Sequence, residues 1–286
     1  MPFSVILIVL FAALLHATWN ALIRSSGSRL WSSTVLCIAM GLFALCFVPF
    51  RPVPPRDSWI YIVASAALHV VYNLMLVRSY QRGELSVAYP IARGTSPVLV
   101  TTGAALFAGE RIGAPTLFGL LLISGGIFAV GLDRRALGDG AWTRTLPDAL
   151  GTGASIAAYS VVDGIGARAA GDSIGYAAWM FVLTALMMLP TYWLLEKRLT
   201  LGGSKRELLK AGFGGMSAAL AYGIVIWAMK QGAMGPVSSL RETSVVFAAL
   251  IGRLFLSEPA SARKVLGCSI ITTGTVLIGF SGALAK

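Results

Sequence analysis

YPIARGTSPVLVTTGAALFAGE, running from Tyr89 to Glu110, decides how the rest of the chain is read. The stretch is apolar enough to lie in a bilayer, yet its first half holds Arg93, Gly94, Thr95 and Ser96 between Pro90 and Pro97. The pattern returns as VSSLRETSVVFAALIGRLFLSE, from Val237 to Glu258. At a constant offset of 148 positions Arg93 meets Arg241, Thr95 meets Thr243, Ser96 meets Ser244, Phe107 meets Phe255 and Glu110 meets Glu258. The same register carries Gly119 onto Gly267, Gly126 onto Gly274 and Gly131 onto Gly279. One ungapped register that holds across basic, hydroxyl, aromatic, acidic and glycine positions marks an internal duplication.

Composition sets the solvent. Of 286 residues, 56% are hydrophobic and 12% charged, about half the charged fraction of a soluble globular chain. The apolar residues come in many long blocks, so the chain reads as a polytopic integral membrane protein. The net charge of +11 lies mostly in the connections between blocks. Such charge orients a membrane protein, and a nucleic-acid partner is not expected. Cys37, Cys46 and Cys268 lie inside apolar blocks without ligand spacing, so neither a disulfide nor a metal site is expected. The apolar run Phe3–Leu15 has no basic residue before it and continues through His16, Trp19 and Asn20. It reads as a retained helix and not as a cleaved leader.

At about 20 residues per crossing, ten spans fit: 3–23, 31–50, 58–80, 85–108, 113–132, 148–168, 174–194, 208–230, 235–256 and 263–282. Gly, Pro, Ser and charged residues cluster at each break, as turn chemistry requires. Residues 133–147 form a linker between a first five-helix repeat (1–132) and a second (148–286). An odd number of spans forces the second copy to cross in the opposite sense. The expected fold is all-α, with ten transmembrane helices in two inverted five-helix repeats. That architecture is typical of secondary transporters with a midplane site between the halves. Fourteen Lys and Arg residues fall in the breaks after spans 1, 3, 5, 7 and 9, against six on the other side. The positive-inside rule then puts the richer side in the cytoplasm and both termini outside.

Three segments carry a resemblance to a known family: AYPIARGTSPVLV…LFAGERI, SSLRETSVVFAALIGRLFLSEP, and HATWNALIR at the end of the first span. Through them nearly the whole chain resembles the EamA-type members of the drug/metabolite transporter superfamily. The glutamate closing the fourth helix of each repeat, here Glu110 and Glu258, is that family's most recurrent mark. The resemblance implies a central cavity lined by helices 1–4 and 6–9, with helices 5 and 10 peripheral. It also implies export or exchange of small metabolites without ATP. The superfamily's small multidrug members couple to protons through a glutamate in the first helix. Here that helix holds His16 and Asn20 and no carboxylate.

Arg93 and Arg241 are the first candidates for chemistry. Each lies about eight residues into its span, roughly 12 Å along the axis. A charge at that depth costs about 2.5–3.5 kcal/mol and needs a partner or a wet cavity. Two guanidiniums facing one cavity would hold a carboxylate or phosphate. The competing reading is an internal ion pair, Arg241 with Glu242 or either arginine with Asp163. Asp163 and Glu242 are the negative candidates, as substrate contacts for a zwitterion or as the site of a coupling proton. Asn20 approximately matches Asp163 between the halves, and His16 lies one turn before Asn20 on the same helix face. Packing is the favoured role for His16. Tyr72, Asn73 and Tyr222 are candidate cavity walls, with Ser96 and Ser244 placed beside the arginines. Pro90, Gly94 and Pro97 should kink or open the fourth helix and make it the better candidate for a gate. Glu110 and Glu258 read as structural corners, satisfying free N–H groups where the next helix begins.

The sequence thus points to a secondary transporter, an exporter or exchanger, in the cell (bacterial inner) membrane. It would move a small anionic or zwitterionic metabolite, such as an amino acid, by alternating access, with no cofactor. The alternatives are an intramembrane enzyme using Asp163 or His16 as acid/base, a drug or cation exporter of the same superfamily, and a receptor or assembly subunit.

Overall fold

The structure, a computed structural model, describes residues 1–23, 29–82, 85–131, 141–198, 202–255 and 261–284. The described residues form α1 (Phe3–Ile23), α2 (Arg29–Leu45), α3 (Trp59–Arg82), α4 (Leu85–Ala108), α5 (Ala114–Gly131), α6 (Ala141–Ala170), α7 (Ser173–Glu196), α8 (Lys205–Gln231), α9 (Met234–Arg241), α10 (Ser244–Phe255) and α11 (Ala262–Leu284). Short 3₁₀ turns, Val48–Phe50 and Arg56–Ser58, join α2 to α3. Among the described residues, seven helices are long and apolar enough to cross a membrane: α1, α2, α3, α5, α7, α8 and α11. The helices outside that set are α4, α6, α9 and α10, and they carry Arg93, Asp163, Arg241 and the break beside Glu242. Of these, α9 and α10 are each too short to cross a membrane alone, because the turn at Glu242 and Thr243 divides them.

The two halves interlock. The most extensive packing joins α5 to α11, α4 to α6, α3 to α6, α1 to α8 and α2 to α7, each pair drawn from both halves. Duplicated glycines set the α5–α11 contact. A Cβ on Gly119 would lie 2.8 Å from the Gly274 carbonyl oxygen, and one on Gly126 would lie 2.9 Å from that of Gly267. Rising numbers on one helix meet falling numbers on the other, so the copies of the fifth helix run antiparallel. Each contact maps onto the other under the 148-residue offset. Only glycine allows the backbones so close. The outer surface of the bundle is apolar, with Leu7, Phe11, Phe118, Leu121, Leu194 and Leu254 exposed on four helices. A soluble monomer rarely shows so much contiguous apolar surface, and a bilayer covers it.

Three features of the helices depart from the sequence expectation. First, α6 begins at Ala141, inside the expected 133–147 linker, and passes through Pro147. Second, the expected span 235–256 is divided into α9 and α10. The turn between them is held by short-range bonds, Glu242 N–H to Ser239 O at 3.1 Å, Thr243 N–H to Leu240 O at 3.2 Å and Val245 N–H to Glu242 O at 3.1 Å. The Thr243 hydroxyl also donates to Leu240 O at 2.7 Å, the local competition by which a threonine disturbs a helical ladder.

Third, α4 is one uninterrupted helix through Pro90 and Pro97. The opening expected there falls instead in the half without those prolines. Pro97 has no N–H to offer the Arg93 carbonyl one turn back. The Ser96 hydroxyl donates to that carbonyl instead, at 3.3 Å, and the helix stays closed. In the second half Val245 replaces the proline, and the Ser244 hydroxyl is buried without a partner among the described residues.

Candidate functional site

Between the halves lies a cavity of about 820 Å³, within the range of small-molecule sites. Its walls include His16 and Asn20 of α1, His69, Tyr72 and Asn73 of α3, Tyr89 and Arg93 of α4, Tyr159 of α6, Phe181 of α7, Tyr222 of α8 and Arg241 of α9. Residues at the Lys/Arg-rich ends of the helices also line it: Arg29, Val77, Gly131, Gly252 and Lys264. The cavity therefore extends from the floor at the two arginines toward that face. The peripheral helices of the family pattern, α5 and α11, reach it through Ile127, Val130, Gly131 and Lys264.

The floor is a charge cluster that spans the halves. Arg93 Nη1 donates to both oxygens of Glu242, at 3.1 and 2.9 Å. Arg241 donates to Glu242 Oε1 from Nε at 3.2 Å and from Nη2 at 3.0 Å. Arg93, Arg241 and Glu242 are 5%, 3% and 0% exposed. One carboxylate thus serves two guanidiniums, and the cluster carries one net positive charge. The ring of His16 bears on Arg93 Nη2 through Nε2. A guanidinium only donates, so this nitrogen accepts. Tyr89 and Tyr222 lie against the arginines, with ring centres 5.4 Å from Arg93 Cζ and 5.9 Å from Arg241 Cζ. Glu242 sits behind the guanidiniums and does not line the cavity, whereas Arg93 and Arg241 do. The ion-pair and cavity-facing readings of the arginines are therefore one arrangement.

Asp163 belongs to a different environment. It is 0% exposed and bonds to neither arginine. Tyr176 donates to Oδ1 at 3.0 Å and Tyr222 to Oδ2 at 2.6 Å. Two hydrogen bonds to an ionised acceptor stabilise it by about 1.5–3 kcal/mol each. The effective penalty for burying a charge is several kcal/mol. Asn20, its expected counterpart, does line the cavity and donates to the His16 carbonyl at 2.8 Å. The approximate match between Asn20 and Asp163 does not place them in one role.

Glu110 caps a helix, but not α5. Its Oε2 accepts from the Met234 N–H at 2.8 Å, at the start of α9, and its Oε1 accepts from Arg168 Nη2 at 2.5 Å. Arg168 also donates to the carbonyls of Met229 and Gly232, at 2.9 Å each. This bridge joins the halves at the end opposite the cavity mouth. Glu258 lies outside the described residues.

His16, Asn20, Tyr72, Asn73, Arg93, Tyr222 and Arg241 all line the cavity. Ser96, Ser244, Asp163 and Glu242 do not. His16 is a cavity residue in contact with Arg93, where packing was the expectation. Tyr159, which lies against His69, was missed as a wall. Their rings stack at 4.1 Å, and Tyr159 meets Tyr222 edge-on at 5.4 Å. The available signal was the position of Tyr159 one helical turn before Asp163, which puts both on one side of α6.

Comparison with known proteins agrees with this architecture. A solved structure described only as "Crystal structure of protein" superposes with a TM-score of 0.75 at 19% identity, covering 96% of this chain and 98% of that one. At that identity the likeness is one of fold. A search of curated proteins finds no match. The sequence profile of the EamA-like transporter family matches residues 3–132 and again 148–280. With two copies of the family's repeat covering most of its length, the chain belongs to the EamA-like transporter family, within the drug/metabolite transporter superfamily.

Proposed function

We propose that this protein is a secondary transporter that moves a small anionic or zwitterionic metabolite by alternating access. The supporting observation is the floor of the cavity, where Arg93 and Arg241, one from each half, share Glu242 and keep one net positive charge. A single net charge suits one carboxylate better than a phosphate dianion. The aromatic wall of Tyr72, Tyr159, Phe181 and Tyr222 offers an apolar surface to the rest of the substrate. Ten spans in two inverted repeats would place the pair near the midplane. The Lys/Arg-rich face would be cytoplasmic, so the cavity would be open inward, with Glu110–Arg168 closing the other face. Arg93 joins the first half to Glu242 at the α9–α10 break. A substrate anion drawing Arg93 toward the cavity would therefore loosen the contact between the halves. The assignment to a bacterial inner membrane belongs to the same proposal.

The test is a competition series in proteoliposomes. Labelled amino acids should be taken up and competed by other carboxylates. Their amides, phosphate dianions and lipophilic cations should compete weakly. Preferential transport of cations would favour drug export and contradict the proposal.

A further inference from the structure

We propose that Asp163 is the site that binds and releases the coupling proton, and that Tyr222 conveys its state to the substrate cavity. This rests on the transporter reading above. The observations concern the two carboxyls buried near the cavity. Glu242 is fastened by two guanidiniums, and a proton arriving there would have to displace a cation. Asp163 is as deeply buried, within α6, and among the described residues no cation is bonded to it. Among the described residues, the titratable groups facing it are His69 of α3, Tyr176 of α7 and Tyr222 of α8, with Tyr159 one turn away on α6 itself. Arg93 of α4 and Arg241 of α9 are engaged with Glu242. The His69 Nδ1 is occupied within its own helix by the Ser65 carbonyl at 2.9 Å.

The route to the cavity is Tyr222. Its hydroxyl donates to Asp163 Oδ2 at 2.6 Å. Its ring lines the cavity, packs on His69 and Tyr159 and lies 5.9 Å from Arg241 Cζ. When a proton from one aqueous phase forms an O–H bond at Asp163, the carboxyl becomes a donor. The new O–H needs an acceptor of its own, and the acceptor geometry offered to the two phenols changes. The phenol contacts rearrange around it, and Tyr222 is the phenol whose ring also forms the cavity wall beside Arg241. Release to the opposite phase breaks that O–H bond and restores both phenol contacts. No other reactant is needed.

The decisive experiment follows the carboxyl directly. Protein labelled with [4-¹³C]aspartate is studied in lipid vesicles by pH-titrated infrared difference spectroscopy, with no substrate present. The expected result is an aspartic acid carbonyl band that disappears as pH rises, is absent from Asp163→Asn and has a displaced midpoint in Tyr222→Phe. If Asp163→Asn does not fold, the labelled band in wild type and Tyr222→Phe still decides. In parallel, a mixture of radiolabelled amino acids is used as the transport probe. Asp163→Asn should retain exchange of internal for external label but lose accumulation driven by an imposed pH gradient. A wild-type band that does not titrate, or gradient-driven accumulation by Asp163→Asn equal to wild type, overturns the proposal. If wild type takes up no probe, the transporter reading fails for that substrate class while the infrared titration still reports on Asp163.

Discussion

Replacing Glu242 by Gln leaves two guanidiniums buried around a neutral amide. In the native protein Arg93 and Arg241 both bond Glu242, at 2.9–3.2 Å, and the three groups are at most 5% exposed. The substitution raises the net charge of this cluster from one to two. Removing one partner of a buried ion pair costs about 3–5 kcal/mol, chiefly because the remaining charge is uncompensated. Against a total stability of about 5–15 kcal/mol, that is a large loss. Equilibrium unfolding in mixed micelles should show it. Arg93→Gln in the Glu242→Gln background returns the net charge to one, so the double variant should be more stable than the sum of the single effects predicts. The coupling should be several kcal/mol, well above the ~0.5 kcal/mol within which independent sites add. Acetate, as a free carboxylate, should partly restore Glu242→Gln by binding the guanidiniums. Additive single effects, or Glu242→Gln as stable as wild type, would refute the shared-carboxylate account.

Other predictions test separate parts of the fold. Gly126→Val would place a Cβ 2.7 Å from Ile271 Cγ1 and 2.9 Å from the Gly267 carbonyl. It should cost about 1–3 kcal/mol by overpacking, measured by the same unfolding assay. Ser96→Ala removes the donor to the carbonyl that Pro97 frees, leaving a buried acceptor unpaired at about 1–3 kcal/mol. Hydrogen exchange should rise within residues 91–96, and Pro97→Ala in the same chain should reverse it. Glu110→Gln weakens the Arg168 bridge and the cap on Met234. Amide exchange at the start of α9 should quicken there and not at the start of α5, the helix next in sequence.

The duplication was the most legible feature, because the constant offset survives in residues that are costly to keep in a membrane. It exposed Arg93 and Arg241 and, through the glycines, the contact between α5 and α11. The pairing of Arg241 with Glu242 was visible because the two are neighbours. The bond from Arg93 to Glu242 was not, since it joins positions 149 apart and nothing in either segment announces the other. Pro90 and Pro97 pointed to the wrong half. The carbonyl that Pro97 frees is paired by the Ser96 hydroxyl, and α4 stays continuous. The break at Glu242–Thr243 has no proline or glycine to mark it. Glu110 was recognisable as a cap, but the helix it caps lies across the interface, which local sequence cannot reveal. The same holds for Asp163, whose phenol partners come from α7 and α8.

Uptake of radiolabelled amino acids into proteoliposomes by wild type, Arg93→Ala, Arg241→Ala and Arg253→Ala tests the central claim most directly. Arg253 is an exposed arginine of α10 outside the cavity lining, so its variant controls for loss of positive charge. The account predicts uptake at background for Arg93→Ala and Arg241→Ala and near wild type for Arg253→Ala. Unimpaired uptake by both floor variants would contradict it.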